Sequence, residues 1–164
     1  SVRLKSNVYW HDGKPLTADD VIFTYQAIQN FDAKSSLYSN WQGIKIAKKD
    51  DNTITFDLPN ALSSFPYALT NGIVPKHLLG SVPASQLRSA QFNTVAPIGT
   101  GPFKLKSIEV LGGNTNNREQ RISLQANQKY QEGTPKPDGF TFQVFYDETQ
   151  LVTSFKNKQI MSML

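Results

Sequence analysis

The stretch YWHDGKPLTADDV, residues 9 to 21, constrains the fold of this chain more than any other segment. Asp12-Gly13 supplies turn chemistry, because glycine tolerates positive φ, and Pro15 stiffens the exit. Thr17 followed three residues later by Asp20 has the capping-box form, with Asp19 and Asp20 placed at the positive end of a helix. Val21, Tyr25 and Ile28 then recur at i, i+4 and i+7, which predicts a helix running to about Asn30 or Phe31. Upstream, Val2, Leu4, Val8 and Trp10 alternate with Arg3, Lys5 and Asn7, interrupted at Ser6, and predict one half-buried strand over residues 2 to 10. A chain that opens strand, turn, helix is committed to a mixed α+β architecture.

The remainder follows the same mixed pattern. Ile44 and Ile46 alternate in one strand, Asp51-Asn52 turns, and Ile54, Phe56 and Leu58 alternate in the next, a hairpin with one buried face. Residues 61 to 70 and 83 to 90 read as short helices, the first weakened by Pro66, and Pro75 restarts the chain at IVPKHLL. From Pro102 the chain becomes strand-rich, through Phe103, Leu105 and Ile108, an exposed GGNTNN loop, and RISLQAN. EGTPKPDG then breaks it before FTFQVFY, whose Phe140, Phe142, Val144 and Tyr146 share one parity. A helix with Leu151, Val152 and Phe155 should run from Glu148 to about Lys158.

Charge and residue inventory exclude several function classes. Seventeen Lys and Arg stand against thirteen Asp and Glu, a formal net charge of +4, but the basic residues are scattered and no basic run is interleaved with aromatics. A nucleic-acid partner is therefore not expected. There is no cysteine and there are two histidines, which removes disulfide staples, thiolate sites and an all-protein transition-metal cage, so no metal or cofactor is expected. No stretch approaches the roughly 18 apolar residues of a membrane helix.

No residues assemble a recognisable catalytic group. His11 and Asp12 are neighbours whose side chains diverge, so the pair reads as a turn rather than a base with its orienter. Asp19 and Asp20 read as partners of the helix dipole. GTG at 99 to 101 lacks the Lys-Ser/Thr of a phosphate loop and reads as a tight crossing between substructures, and Ser63 and Ser64 sit in no nucleophile elbow. What remains are aromatics in loops: Tyr38 and Trp41 in SSLYSNWQG, and Tyr67 with Asn71 in FPYALTNG. Tyr and Trp join a large apolar face to a polar handle, which suits small polar ligands; their competing role is to fill the core beneath the helix. Tyr38, Trp41 and Asn71 are the candidate ligand contacts, and Tyr67 is assigned to the core.

Three ordered segments together resemble one family. VRLKSNVYWHDGKPLTADDVIFTY is similar to the aromatic-His-Asp-Gly-x-Pro-Leu-Thr-Ala-x-Asp-Val run of the extracytoplasmic solute-binding proteins of family 5, the peptide- and nickel-binding components of ABC importers. APIGTGPFKL resembles that family's Gly-Thr-Gly-Pro-aromatic crossing, and ANQKYQEGTPKPDGFTFQVFYDETQLVTSFKNKQI its closing strand and helix, over essentially the whole chain. Gln128, Gln131 and the NKQIMSML ending depart from the family pattern, in which Pro, Trp and Gly-Glu-Ile-Asp are usual.

The resemblance implies a piece of a periplasmic-binding-protein-like class II fold: a small extra domain over residues 1 to 101, then part of the first lobe over residues 102 to 164. It implies a protein roughly three times this length, working outside the cell membrane, that encloses a short peptide, a nickel complex or another small solute and passes it to the ABC permease membrane subunits. It also implies that the strand-turn-helix stretch is scaffold, that Tyr38 reaches the cleft edge, and that this piece alone binds peptides weakly or not at all. Two other classes compete with it. A hydrolase would use His11, His77 and nearby acids, and a pure interaction module would dock a protein through the hairpin edge at 53 to 58 or the aromatic loops.

Overall fold

The computed structural model describes residues 1–112 and 119–163, so the expected GGNTNN loop lies, after Gly112, outside the described residues. The chain divides into two compact units: Ser1–Gly101 with the short return Lys129–Gly133, and Pro102–Gln128 with Thr134–Leu164. Within the first unit the return makes an exposed ion pair, Lys5 Nζ to Glu132 Oε1 at 2.9 Å.

The first unit is built on a three-stranded antiparallel sheet in the order β1 (Val2–Arg3), β3 (Thr53–Asp57), β2 (Lys45–Asp50). The hairpin β2–β3 forms as its alternation predicts, with a bulge between Lys48 and Asp50. The long opening strand does not form. β1 ends at Arg3, Asn7 adopts a left-handed φ of 64°, and Tyr9 pairs with Pro15 in an isolated bridge. The break at Ser6 in the alternation marks the place where the chain turns, and Trp10 then points inward at 3% exposure.

Helix α1 (Ala18–Gln29) starts at the Thr17 cap and ends at Asn30, as its pattern predicts. Its first amide, Ala18 N–H, donates to Asp51 O at 2.9 Å and so docks the helix start on the hairpin turn. Its inner face carries Ala18, Val21 and Tyr25, which form the core together with Trp41 and Ile54. Ile54 is fully buried, and burial of a side chain of that size contributes about 1.5–3 kcal/mol. Tyr25 stacks on Trp41 at 4.0 Å, and Phe56 and Phe65 close the aromatic cluster edge-on.

The expected helix over residues 61 to 70 contracts to one turn, α2 (Phe65–Ala68), with Pro at its start. A single turn brings Phe65, Ala68 and Leu69 against the core and leaves Tyr67 pointing outward, 80% exposed. Tyr67 is therefore a surface residue, correcting its assignment to the core. After Pro75 comes α3 (Lys76–Leu79), and residues 84 to 89 form a 3-10 turn rather than an α-helix.

The second unit is an antiparallel meander, β4 (Phe103–Leu111), β5 (Glu119–Ala126) and β6 (Gly139–Phe145), followed by α4 (Glu148–Lys156). Its register pairs Leu105 with Leu124, Leu124 with Phe140, and Ile122 with both Ile108 and Phe142, which collects the apolar side chains on one face. The Asp147 side chain caps α4 by accepting from Thr149 N–H at 2.9 Å. Gly139 is demanded by close approach, since a β-carbon there would collide with the Leu124 carbonyl. Among the described residues no helix is long and apolar enough to cross a membrane.

Candidate functional site

The opening stretch folds into a joint that ties distant parts of the first unit together. Asp20, 4% exposed, is its hub. Its Oδ2 accepts from Thr17 N–H at 2.9 Å and from Trp10 Nε1 at 3.4 Å, while Oδ1 accepts from Lys76 N–H at 2.8 Å. One buried carboxylate thus closes the capping box, orients the Trp10 indole and anchors the start of α3. Thr24, one helical turn on, donates its hydroxyl to Asp20 O and accepts from Val74 N–H at 3.0 Å.

The two histidines act in the same joint. His11 and Asp12 go separate ways. The His11 ring meets Gly99 N–H through Nδ1 at 3.2 Å and Gly101 O through Nε2 at 3.0 Å, and its backbone N–H donates to Gly99 O at 2.9 Å. Asp12 Oδ2 meets His77 Nε2 at 2.7 Å, and its Oδ1 accepts from Lys14 N–H at 3.1 Å. Burial alone would raise the Asp12 carboxyl, but the Lys14 amide and the His77 hydrogen bond and charge outweigh it and hold it below the ordinary carboxylate range. His11 thus joins the turn to the glycines at 99 and 101, and Asp12 joins it to α3 through His77. Among the described residues no group of three or more His, Asp or Glu side chains is disposed to hold a metal ion.

The second cluster is the loop after α1. Asn30 Oδ1 accepts from Asp32 N–H at 2.9 Å and starts a 3-10 turn over Phe31–Ala33, which Lys34 closes in the left-handed conformation at φ 49°. Ser35 Oγ accepts from Leu37 N–H at 3.2 Å, and a second 3-10 turn, Tyr38–Trp41, follows. Gln29 Nε2 donates to Trp41 O and Ile44 O, both at 2.7 Å, and fixes the far end of the loop. Ala33 and Trp41 point inward, and Tyr38 is half-buried with its ring 5.7 Å from that of Phe31 in an edge-on arrangement.

Residues 1–164 match the family model described as bacterial extracellular solute-binding proteins, family 5 Middle. The chain belongs to this family. It is 38% identical to the oligopeptide-binding protein AppA of Bacillus subtilis, over 94% of this chain and 28% of that relative. The solved structure of AppA in complex with a nonapeptide superposes with a TM-score of 0.81 at 36% identity, covering 97% of this chain and 31% of AppA. The ABC transporter substrate-binding protein CtaP of Listeria monocytogenes gives 0.80 at 32% identity, over 97% and 31%. NikZ of Campylobacter jejuni in complex with Ni(L-His) gives 0.76 at 29%, over 96% and 30%. The chain spans less than a third of the length of these relatives.

In this family 5 chain the three residues named from sequence fall into different environments. Trp41 is 2% exposed and stacked on Tyr25 in the core of the first unit; the 3-10 turn that presents Tyr38 rotates the ring three residues later inward. Asn71 is half-buried, donates through Nδ2 to Ala68 O at 3.0 Å and hydrogen-bonds Tyr25, whose phenol burial pushes up and Asn71 pulls down. Tyr38 stays at the surface, and its ring partner, Phe31 at 74% exposure, is a residue that sequence reading passed over as the end of a helix. The Asn-Phe-Asp triplet at 30 to 32 carried the signal, because Asn before a non-helical turn frees the next side chain from the helix face.

Proposed function

We propose that this chain is part of the substrate-binding component of an ABC importer that captures short peptides outside the cell membrane and delivers them to the permease. The observation that carries this reading is the likeness to AppA, a protein solved with a bound nonapeptide, at a TM-score of 0.81 and 36% identity over 97% of the chain. The complete protein closes two lobes over its ligand and releases it unchanged, so selection is by differential affinity for the closed state rather than by turnover. Tyr38 touches ligand at the cleft edge and Asn71 borders it, while Trp41 supports the loop from beneath. A peptide suits such a site because its repeating backbone is held by main-chain hydrogen bonds whatever its side chains.

The likeness to NikZ, solved with Ni(L-His), favours a nickel complex as the second reading, at the lower identity of 29%. Mass spectrometry of the solute released on denaturing the full-length protein, purified without refolding, separates the two. A ladder of short peptides is expected. A single metal chelate or another small solute would keep the family and replace the substrate.

A further inference from the structure

Phe31 is exposed without a structural reason. The turn it opens is specified by the Asn30 side chain, by Ala33 packing inward at 9% exposure and by the left-handed Lys34, none of which requires an aromatic at position 31. Its ring nonetheless stands 74% exposed, 5.7 Å from Tyr38 at an interplanar angle of 74°, so the two rings meet edge-on as a corner of the surface. The backbone on which the corner stands is fixed, because Asn30, Ser35 and Gln29 bond the loop main chain at its start, middle and end. A preformed aromatic surface binds with little ordering cost. The ring is flanked by Asp32 and Lys34, one charge of each sign, which gives the corner no net bias toward an ionic group.

We propose that Phe31 and Tyr38 form a subsite for one apolar side chain, aliphatic or aromatic, of the bound peptide, with Phe31 the specificity-determining wall. The inference rests on the peptide reading above and adds to it which side chains are preferred. Isothermal titration of the full-length protein with alanine-based peptides carrying a single Leu, Phe, Lys or Asp tests it. The unsubstituted protein should favour Leu and Phe at one peptide position over alanine by about tenfold, the scale of one good aromatic contact. Phe31→Ala should collapse that ratio toward unity without moving the melting temperature, and Phe31→Leu should restore the preference for Leu.

Peptide binding in which Phe31→Ala leaves the ratios unchanged, or weakens all four peptides alike, would overturn the subsite while leaving the peptide reading intact. A preference for Lys or Asp at that position would likewise overturn it. Failure of the unsubstituted protein to bind any of the peptides would instead remove the peptide reading, and the subsite with it.

Discussion

Both units carry a three-stranded antiparallel sheet with one apolar face, and among the described residues the first buries that face far more completely than the second. On the first sheet Ile54 is fully buried beneath Tyr25 and Trp41, at 1% and 2% exposure. On the second, Val110, Phe140, Phe142 and Val144 remain 53%, 46%, 48% and 42% exposed. The helix that follows β6 contributes only half-buried Leu151 and Val152, and its Phe155 is itself 40% exposed. Alternation in a strand thus reports that a face is apolar and says nothing of what lies on it. The first unit draws its order from side-chain burial, whereas the second relies more on its backbone ladder, bulged between Leu105 and Ser107, and on Gly139.

The largest expected effect sets the two faces directly against each other. Trp41→Ala removes the centre of the aromatic cluster and should cost about 3–5 kcal/mol, whereas Phe142→Ala, at a half-exposed position, should cost less than about 1 kcal/mol. Urea unfolding midpoints of the two variants measure the contrast. Equal losses would mean that the second face is covered in solution, and the comparison would break.

A smaller effect asks what orders the second sheet if burial does not. Gly139→Ala drives a β-carbon into the Leu124 carbonyl and forces the strands apart, at a cost of about 1–3 kcal/mol. Amide hydrogen exchange should show the loss confined to β5 and β6, with the amides of α1 and β3 unaffected. Uniform acceleration across both units would show that they unfold together.

The same contrast governs how much was legible in the sequence. Thr17 with Asp20, the β2–β3 alternation and the strands of the second unit were legible because each is decided by residues a few places apart. The Asp20 bond to Lys76 and the Asp12 bond to His77 span 56 and 65 residues, and no local pattern announces them. Of the candidate site, Tyr38 was legible as an aromatic in a loop. The fates of Trp41 and Tyr67 were not, because each depends on the phase of a single short turn: one ring rotated into the core, the other out to 80% exposure. Phe31 was hidden by the helix pattern immediately before it.

The smallest expected effect tests whether the joint belongs wholly to the covered unit. Both histidines lie in the first unit, and the Asp12 carboxyl is held below its ordinary range by the Lys14 amide and by His77 against the opposing influence of burial. A carboxyl lowered on folding contributes stability that is fully present above its unfolded value near 4 and is lost as pH falls through the lower folded value. The Asp12 and His77 side chains are 27% and 18% exposed, so solvent screening keeps the contribution under about 1 kcal/mol. Asp12→Asn should therefore lower the urea midpoint slightly at pH 7, and the gap to the unsubstituted chain should narrow as pH is taken below 4. Hydrogen exchange in β4, β5 and β6 should not follow the substitution. A gap that stays constant through the acid range would show that the bond matters for its geometry and not for its charge, and a response in the second sheet would show that the joint reaches beyond the unit that contains it.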